Sequence, residues 1–152
     1  LDGKHIEIIP SPGSGSYFYN YKQKPSMVLL AIADAKYRFV LCDFGTNGRV
    51  SDGGVLQKLQ NNLLNIPRES EVRNGLRKLP YVFVADAASP LRTDMLKKPD
   101  RQSDLDCIEK KIYSYRMSRA RRIVENVFGI LTARFRIFHT AINVALEHID
   151  SI

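Results

Sequence analysis

Seven apolar residues in a row, Met-Val-Leu-Leu-Ala-Ile-Ala at 27–33, stop at Asp34. The run is far shorter than the ~18 residues a membrane span needs. No polar position interrupts it, as one would on a strand with a solvated face. A strand buried on both faces, at the centre of a sheet, is the structure that suits it. Asp34-Ala-Lys-Tyr37 reads as a turn and 38–44 (Arg-Phe-Val-Leu-Cys-Asp-Phe) as a second strand, so the two are expected to form a hairpin. Ahead of them, 2–9 reads as a strand on which His5 and Glu7 alternate with Ile6 and Ile8.

The rest of the chain adds helices and one further strand. Residues 10–16, Pro-Ser-Pro-Gly-Ser-Gly-Ser, are a loop, and 45–48, Gly-Thr-Asn-Gly, ends the hairpin. Ser51 is suited to cap a helix over 52–64, with Val55, Leu56, Leu59 and Leu63 on one face. Polar residues 65–80, with Pro67, Gly75 and Pro80, predict an exposed connection, and 81–85, Tyr-Val-Phe-Val-Ala, a short strand. A loop is expected over 87–103, then a helix over 104–113 and an arginine-rich helix over 115–132. Met117, Ala120, Ile123, Val124, Val127, Phe128 and Leu131 form the apolar stripe of that last helix. Residues 134–138 read as its last turn or a short strand. This order predicts an α/β domain with a mixed sheet.

At 152 residues the chain is one domain's worth, 1–152. It opens on Leu1, and 144–152 read as a helix cut short, so a fragment of a longer protein is expected. Cys42 and Cys107 make no disulfide framework or zinc pattern, and a reducing compartment is the default. His5, His139 and His148 share no metal-ligand spacing. The formal charge of +7 favours a polyanionic partner, and Arg116, Arg119, Arg121, Arg122, Arg134 and Arg136 crowd one segment.

Within that basic segment lies an acid, Glu125, four residues after Arg121. Its plain reading is a helical ion pair, worth about 0.3–0.5 kcal/mol on a surface. Asp86 ends an apolar strand, where ligands gather in α/β sheets but where a turn-starting Asp is also at home. Asp2 opens a strand, and Asp52 follows a helix cap, where a carboxylate also complements the helix dipole. Acids at strand ends and on a helix form the pattern of a two-metal phosphoryl-transfer site, and hard oxygen ligands suit Mg²⁺ or Mn²⁺. Asp34 and Asp43 read as turn and strand-edge residues. Tyr17, Phe18, Tyr19 and Tyr21, beside Lys22 and Lys24, read as a partly buried hairpin with a wet edge, or else as a base-stacking surface.

The motifs also carry a family resemblance. In one order over nearly the whole chain stand Asp-Gly-Lys-His-Ile (2–6), Tyr-Asn-Tyr-Lys-Gln-Lys-Pro-Ser (19–26), Leu-Leu-Ala-Ile-Ala-Asp-Ala (29–35) and Gly-Arg-Val-Ser-Asp-Gly-Gly (48–54). Val-Phe-Val-Ala-Asp (82–86), Pro-Leu-Arg (90–92) and Tyr-Arg-Met-Ser-Arg-Ala-Arg-Arg-Ile-Val-Glu-Asn-Val-Phe-Gly-Ile-Leu (115–131) follow. The set resembles the PIF/Harbinger DDE transposases and the nucleases derived from them, within the DDE superfamily endonucleases. The resemblance implies an RNase H-like (retroviral integrase-like) mixed sheet flanked by helices, here truncated at both ends. It implies a catalytic triad of Asp2, Asp86 and Glu125, with Asp52 as a further metal ligand and Mg²⁺ or Mn²⁺ as cofactor. Arg116, Arg119, Arg121, Arg122 and Arg134 would then contact DNA phosphates, and Arg121 or Arg122 would orient Glu125 or the phosphate.

The activity implied is metal-dependent phosphodiester hydrolysis or strand transfer on DNA, in the nucleus, with the cytoplasm as second location. Implied partners are DNA, a separate helix-turn-helix protein that reads sequence, and a second copy of the chain in a homo-oligomer, with no membrane. Ala87 and Ser89 stand where the family usually has a Glu and an aromatic. That departure supports an alternative, a domesticated and catalytically weak DNA-binding or assembly module. A basic α/β domain that binds a protein is the third reading.

Overall fold

The uninterrupted apolar run becomes the central strand. In this computed structural model, which describes residues 1–47, 69–71, 78–86, 93–97 and 107–143, β2 (Ser26–Ala33) lies between β1 (Asp2–Glu7) and β3 (Phe39–Asn47). Both neighbours are antiparallel to it, with Asp2 opposite Ala31 and Ile6 opposite Met27 on one side, and Leu30 opposite Asp43 on the other. Every residue of β2 up to Ile32 is buried, because the strand is paired along both edges and covered on both faces.

The alternation of side chains sorts two cores. One face of the sheet gives Ile6, Ile8, Met27, Leu29 and Ala31 to a cluster with Val124 and Phe128 of the long helix α1 (Ile108–Arg134). The other gives Leu1, Leu30 and Ile32, which pack with Ala85 and Met95. Ala85 closes β6 (Phe83–Ala85) and Met95 opens β7 (Met95–Lys97), two strands paired in parallel. The Leu1 nitrogen donates to the Val84 carbonyl oxygen at 2.8 Å and so ties the start of β1 to β6. After α1 a short 3-10 turn, Arg136–His139, returns the chain to β1, where Ile142 exchanges backbone hydrogen bonds with Glu7 and Ile9 at 2.9 Å each.

Several expectations are corrected. Gly45-Thr-Asn47, read as the end of the hairpin, lie within β3, which still pairs with β2 through Thr46 opposite Val28 and Asn47 opposite Met27 after a register shift. The two helices read over 104–113 and 115–132 are a single helix from Ile108 to Arg134. Tyr113-Ser-Tyr-Arg116 contains neither Gly nor Pro to break it, and Ser114 is buried on its inner face. The connection read over 65–80 is mostly exposed in its described residues, as expected, and adds a short antiparallel pair, β4 (Ser70–Glu71) with β5 (Lys78–Leu79). The loop at 87–103 contains β7, whose Met95 is buried. Strands this short bury too little to leave a pattern in the sequence. The helix read over 52–64 lies outside the described residues. No described helix is long and apolar enough to cross a membrane.

Turn chemistry holds the strand ends. Asp34 accepts backbone hydrogen bonds from Lys36 at 2.8 Å and Arg38 at 3.0 Å, and pairs with the Arg38 guanidinium at 2.7 Å. The bonds from Arg38, backbone first and side chain next, hold its carboxyl below the usual aspartate range. Asn20 is buried and does the same for the segment before β2. Its Oδ1 accepts from the Lys22 and Lys24 amides at 2.8 and 3.2 Å, and its Nδ2 donates to Ser26 Oγ at 3.0 Å. Asn20→Ala leaves these donors unsatisfied and is expected to cost about 1–3 kcal/mol. Urea unfolding would show it, and a loss below about 0.5 kcal/mol would mean the loop closes without this side chain.

Candidate active site

Three of the four acids come together. Asp2 lies at the start of β1 and, by the period of two, on the same face as Ile6, toward α1. Asp86 follows directly on β6. Glu125 lies one helical turn beyond Arg121 on α1. The Arg121 guanidinium joins all three. Nη1 lies 3.0 Å from Asp86 Oδ1, while Nη2 lies 3.2 Å from Glu125 Oε1 and 3.6 Å from Asp2 Oδ2. The Asp2 and Glu125 oxygens share one nitrogen, so they are no farther apart than those two distances laid end to end. Asp86 sits on the sister nitrogen of the same planar group.

The Arg121–Glu125 ion pair read from the sequence is therefore present, but it is one spoke of three. Its i,i+4 spacing was visible in the sequence, whereas the pairings with residues 2 and 86 were not. Asp2 is the most shielded of the acids; Asp86 and Glu125, at 41% and 52% side-chain exposure, open to solvent. Asp52 lies outside the described residues.

The donor chemistry suits a hard divalent ion, because carboxylate oxygens are its preferred ligands. Among the described residues, however, no three His, Cys, Asp or Glu side chains are arranged to hold an ion together. The guanidinium stands where these carboxylates converge. In this set of four side chains three negative charges face one positive charge.

The other candidate residues fall elsewhere. At about 100° per residue, Arg122 lies roughly 100° around α1 from Arg121, Arg119 about 160°, and Arg116 and Arg134 about 220°. All four are exposed, and none shares the direction of Arg121. His5 is a strand-face residue, with Nδ1 3.0 Å from Ser26 Oγ and its ring edge-on to Tyr21. In the aromatic cluster Phe18 is buried and Tyr17, Tyr19 and Tyr21 are exposed, the pattern of a hairpin with a wet edge. Asp34 is a turn residue. Asp43 is a surprise, since its Oδ2 is buried on β3 with no hydrogen-bond partner among the described residues.

The structure is thus a mixed α/β domain in which carboxylates from two strand ends and a helix pair with one guanidinium. The chain belongs to the DDE superfamily endonucleases, whose family model matches residues 1–152. No curated protein and no solved structure matches it.

Proposed function

We propose that this chain is the catalytic domain of a divalent-metal-dependent DNA nuclease or transposase of the PIF/Harbinger type, acting in the nucleus. The observation that carries this reading is the convergence of Asp2, Asp86 and Glu125 from three separate elements on the Arg121 guanidinium. Membership of an endonuclease family makes DNA the natural substrate. An RNase H-like arrangement is supported by the antiparallel β1–β2–β3 sheet, the parallel β6–β7 pair and the Leu1–Val84 hydrogen bond between them.

In this reading Asp2, Asp86 and Glu125 would hold Mg²⁺ or Mn²⁺, with Asp52 as a further ligand. A divalent ion bound there would supply Lewis-acid polarisation of the phosphodiester and an activated water or 3′-hydroxyl nucleophile. The chain's own part is to fix the acids on rigid elements, since β1 is backed by β2 and α1 is packed on the sheet through Val124 and Phe128. The exposed arginines of α1 would neutralise DNA phosphates and position the strand without reading its sequence. Sequence reading would fall to a helix-turn-helix partner, and synapsis of two DNA ends to a second copy of the chain.

The test is Mn²⁺- or Mg²⁺-dependent cleavage of DNA by the wild-type protein, compared with Asp86→Asn and Glu125→Gln. Cleavage that does not need the metal, or that survives both substitutions, would sink the reading. A catalytically weak DNA-binding module, the second reading, would bind DNA equally with and without the metal and cut under neither condition. Ala87 and Ser89 are the sequence feature that favours it.

The arginines make a separate prediction. Arg119→Ala and Arg122→Ala should weaken binding to all DNA sequences alike. Each phosphate left without its arginine should lower the log–log salt slope by about 0.9. Fluorescence anisotropy across a salt series measures this, and unchanged slopes would remove these two residues from the interface.

A further inference from the structure

We propose that Arg121 is an internal counter-ion, occupying the acid cluster in alternation with the divalent metal and released toward the DNA phosphate when the metal enters. This rests on the metal-dependent reading above, and it assigns Arg121 a role distinct from that of the exposed arginines.

Three observations lead to it. First, the oxygens that touch Arg121 belong to the three carboxylates proposed as ligands: Asp86 Oδ1 at 3.0 Å, Glu125 Oε1 at 3.2 Å and Asp2 Oδ2 at 3.6 Å. A Mg²⁺ ion needs such oxygens at about 2.0–2.1 Å. Ion and guanidinium cannot both sit at the point where the acids converge, for reasons of space and because two cations would repel there. Second, Arg121 Nε is buried without a hydrogen-bond partner among the described residues. A guanidinium satisfied in its resting place uses its fork of donors fully. This one leaves a buried donor unpaired, which costs free energy and makes its resting contacts less favourable than those of a fully bonded guanidinium. Third, the cluster opens to solvent on the side of Asp86 and Glu125, so a cation can reach the acids without the fold opening.

The arrangement also answers an electrostatic problem. Without a cation, three carboxylates gathered from separate elements would repel one another and splay apart. Arg121 supplies the missing positive charge from α1 itself, which holds the three carboxylates around one guanidinium. Once displaced, its planar fork lies beside the cluster, next to where a phosphodiester would be held. Bidentate hydrogen bonding to phosphate oxygens is what a guanidinium does best. Arg121 is thus a positioning residue for the acids in one state and for the phosphate in the other.

Competition gives a signature that an ordinary ion-pair network does not. In the full-length protein, Mn²⁺ binding is measured by isothermal titration or electron paramagnetic resonance, and thermal unfolding in EDTA and in saturating Mn²⁺, for the wild type, Arg121→Gln and Arg121→Lys. With no competitor, Arg121→Gln should bind Mn²⁺ about tenfold tighter or more, within the usual range of coupling between two ligands. It should melt lower than the wild type in EDTA and match it in Mn²⁺. If it does not fold in EDTA, Mn²⁺ should restore it. Arg121→Lys, with a compact ammonium in place of the fork, should fall between the two in affinity.

Mn²⁺ affinity of Arg121→Gln equal to or weaker than wild type, or an equal melting deficit in both conditions, overturns the alternation and makes Arg121 a fixed structural partner. The nuclease reading survives that result, provided the wild type binds Mn²⁺ and Glu125→Gln weakens it. Absence of Mn²⁺ binding in every variant overturns both.

Discussion

Glu125→Gln is expected to lower metal-dependent DNA cleavage by about 10²-fold or more, while metal-free DNA binding is kept or slightly tightened. The substitution preserves the shape of a side chain that is half exposed on α1, so the fold should not notice it. It removes one of three carboxylates, and with it, on the proposed reading, a metal interaction that would contribute several kcal/mol in the transition state, where each ~1.4 kcal/mol is a factor of ten. On the proposed reading the negative charge it removes would also lie near the DNA, so its absence should favour phosphate approach. Cleavage rates and binding isotherms on one substrate separate the two effects. Parallel loss of both would make Glu125 an ordinary partner of Arg121, as the bare i,i+4 spacing reads, and remove the third acid from the site.

The largest expected effect on stability comes from Leu30→Ala, at about 2–5 kcal/mol. Leu30 has no exposed surface and packs with Leu1, Ile32, Ala85 and Met95, so it joins the central strand to β6 and β7. Truncation leaves a cavity between elements that are paired on other edges and cannot close on it. For a chain of this size the loss corresponds to roughly 4–20 °C in melting temperature. Val40→Ala is the control, because Val40 is 64% exposed on β3 and should change stability by less than about 0.5 kcal/mol. Similar losses at both positions would mean that the face joining β2 to β6 and β7 does not carry the fold.

Where a stretch of sequence buries a continuous surface, the element was legible. The apolar run at 27–33 announced the central strand, Asp34 its turn, and the alternation of Ile6 and Ile8 the inner face of β1. The stripe of Met117, Val124, Val127 and Phe128 announced the buried face of α1. Short strands were not legible. β4, β5 and β7 have two or three residues each, and their pairing depends on what lies beside them rather than on their own pattern. Nor was the continuity of α1 through Ser114, because a small polar residue on an inner face looks like a boundary in a one-dimensional reading.

The candidate site divides along the same line. The sequence by itself determined which residues could act: an acid at the start of a strand, an acid at the end of another, and an acid one helical turn from an arginine. Each reading was local, because helix and strand periodicities reach only a few residues along the chain. Only the tertiary structure decided that residues 2, 86 and 125 pair with one guanidinium and that it belongs to Arg121 rather than Arg122. That choice depends on how α1 is rotated against the sheet. The rotation is set by Val124 and Phe128 seating on Ile6, Ile8, Met27 and Leu29, a packing between segments that no local pattern connects.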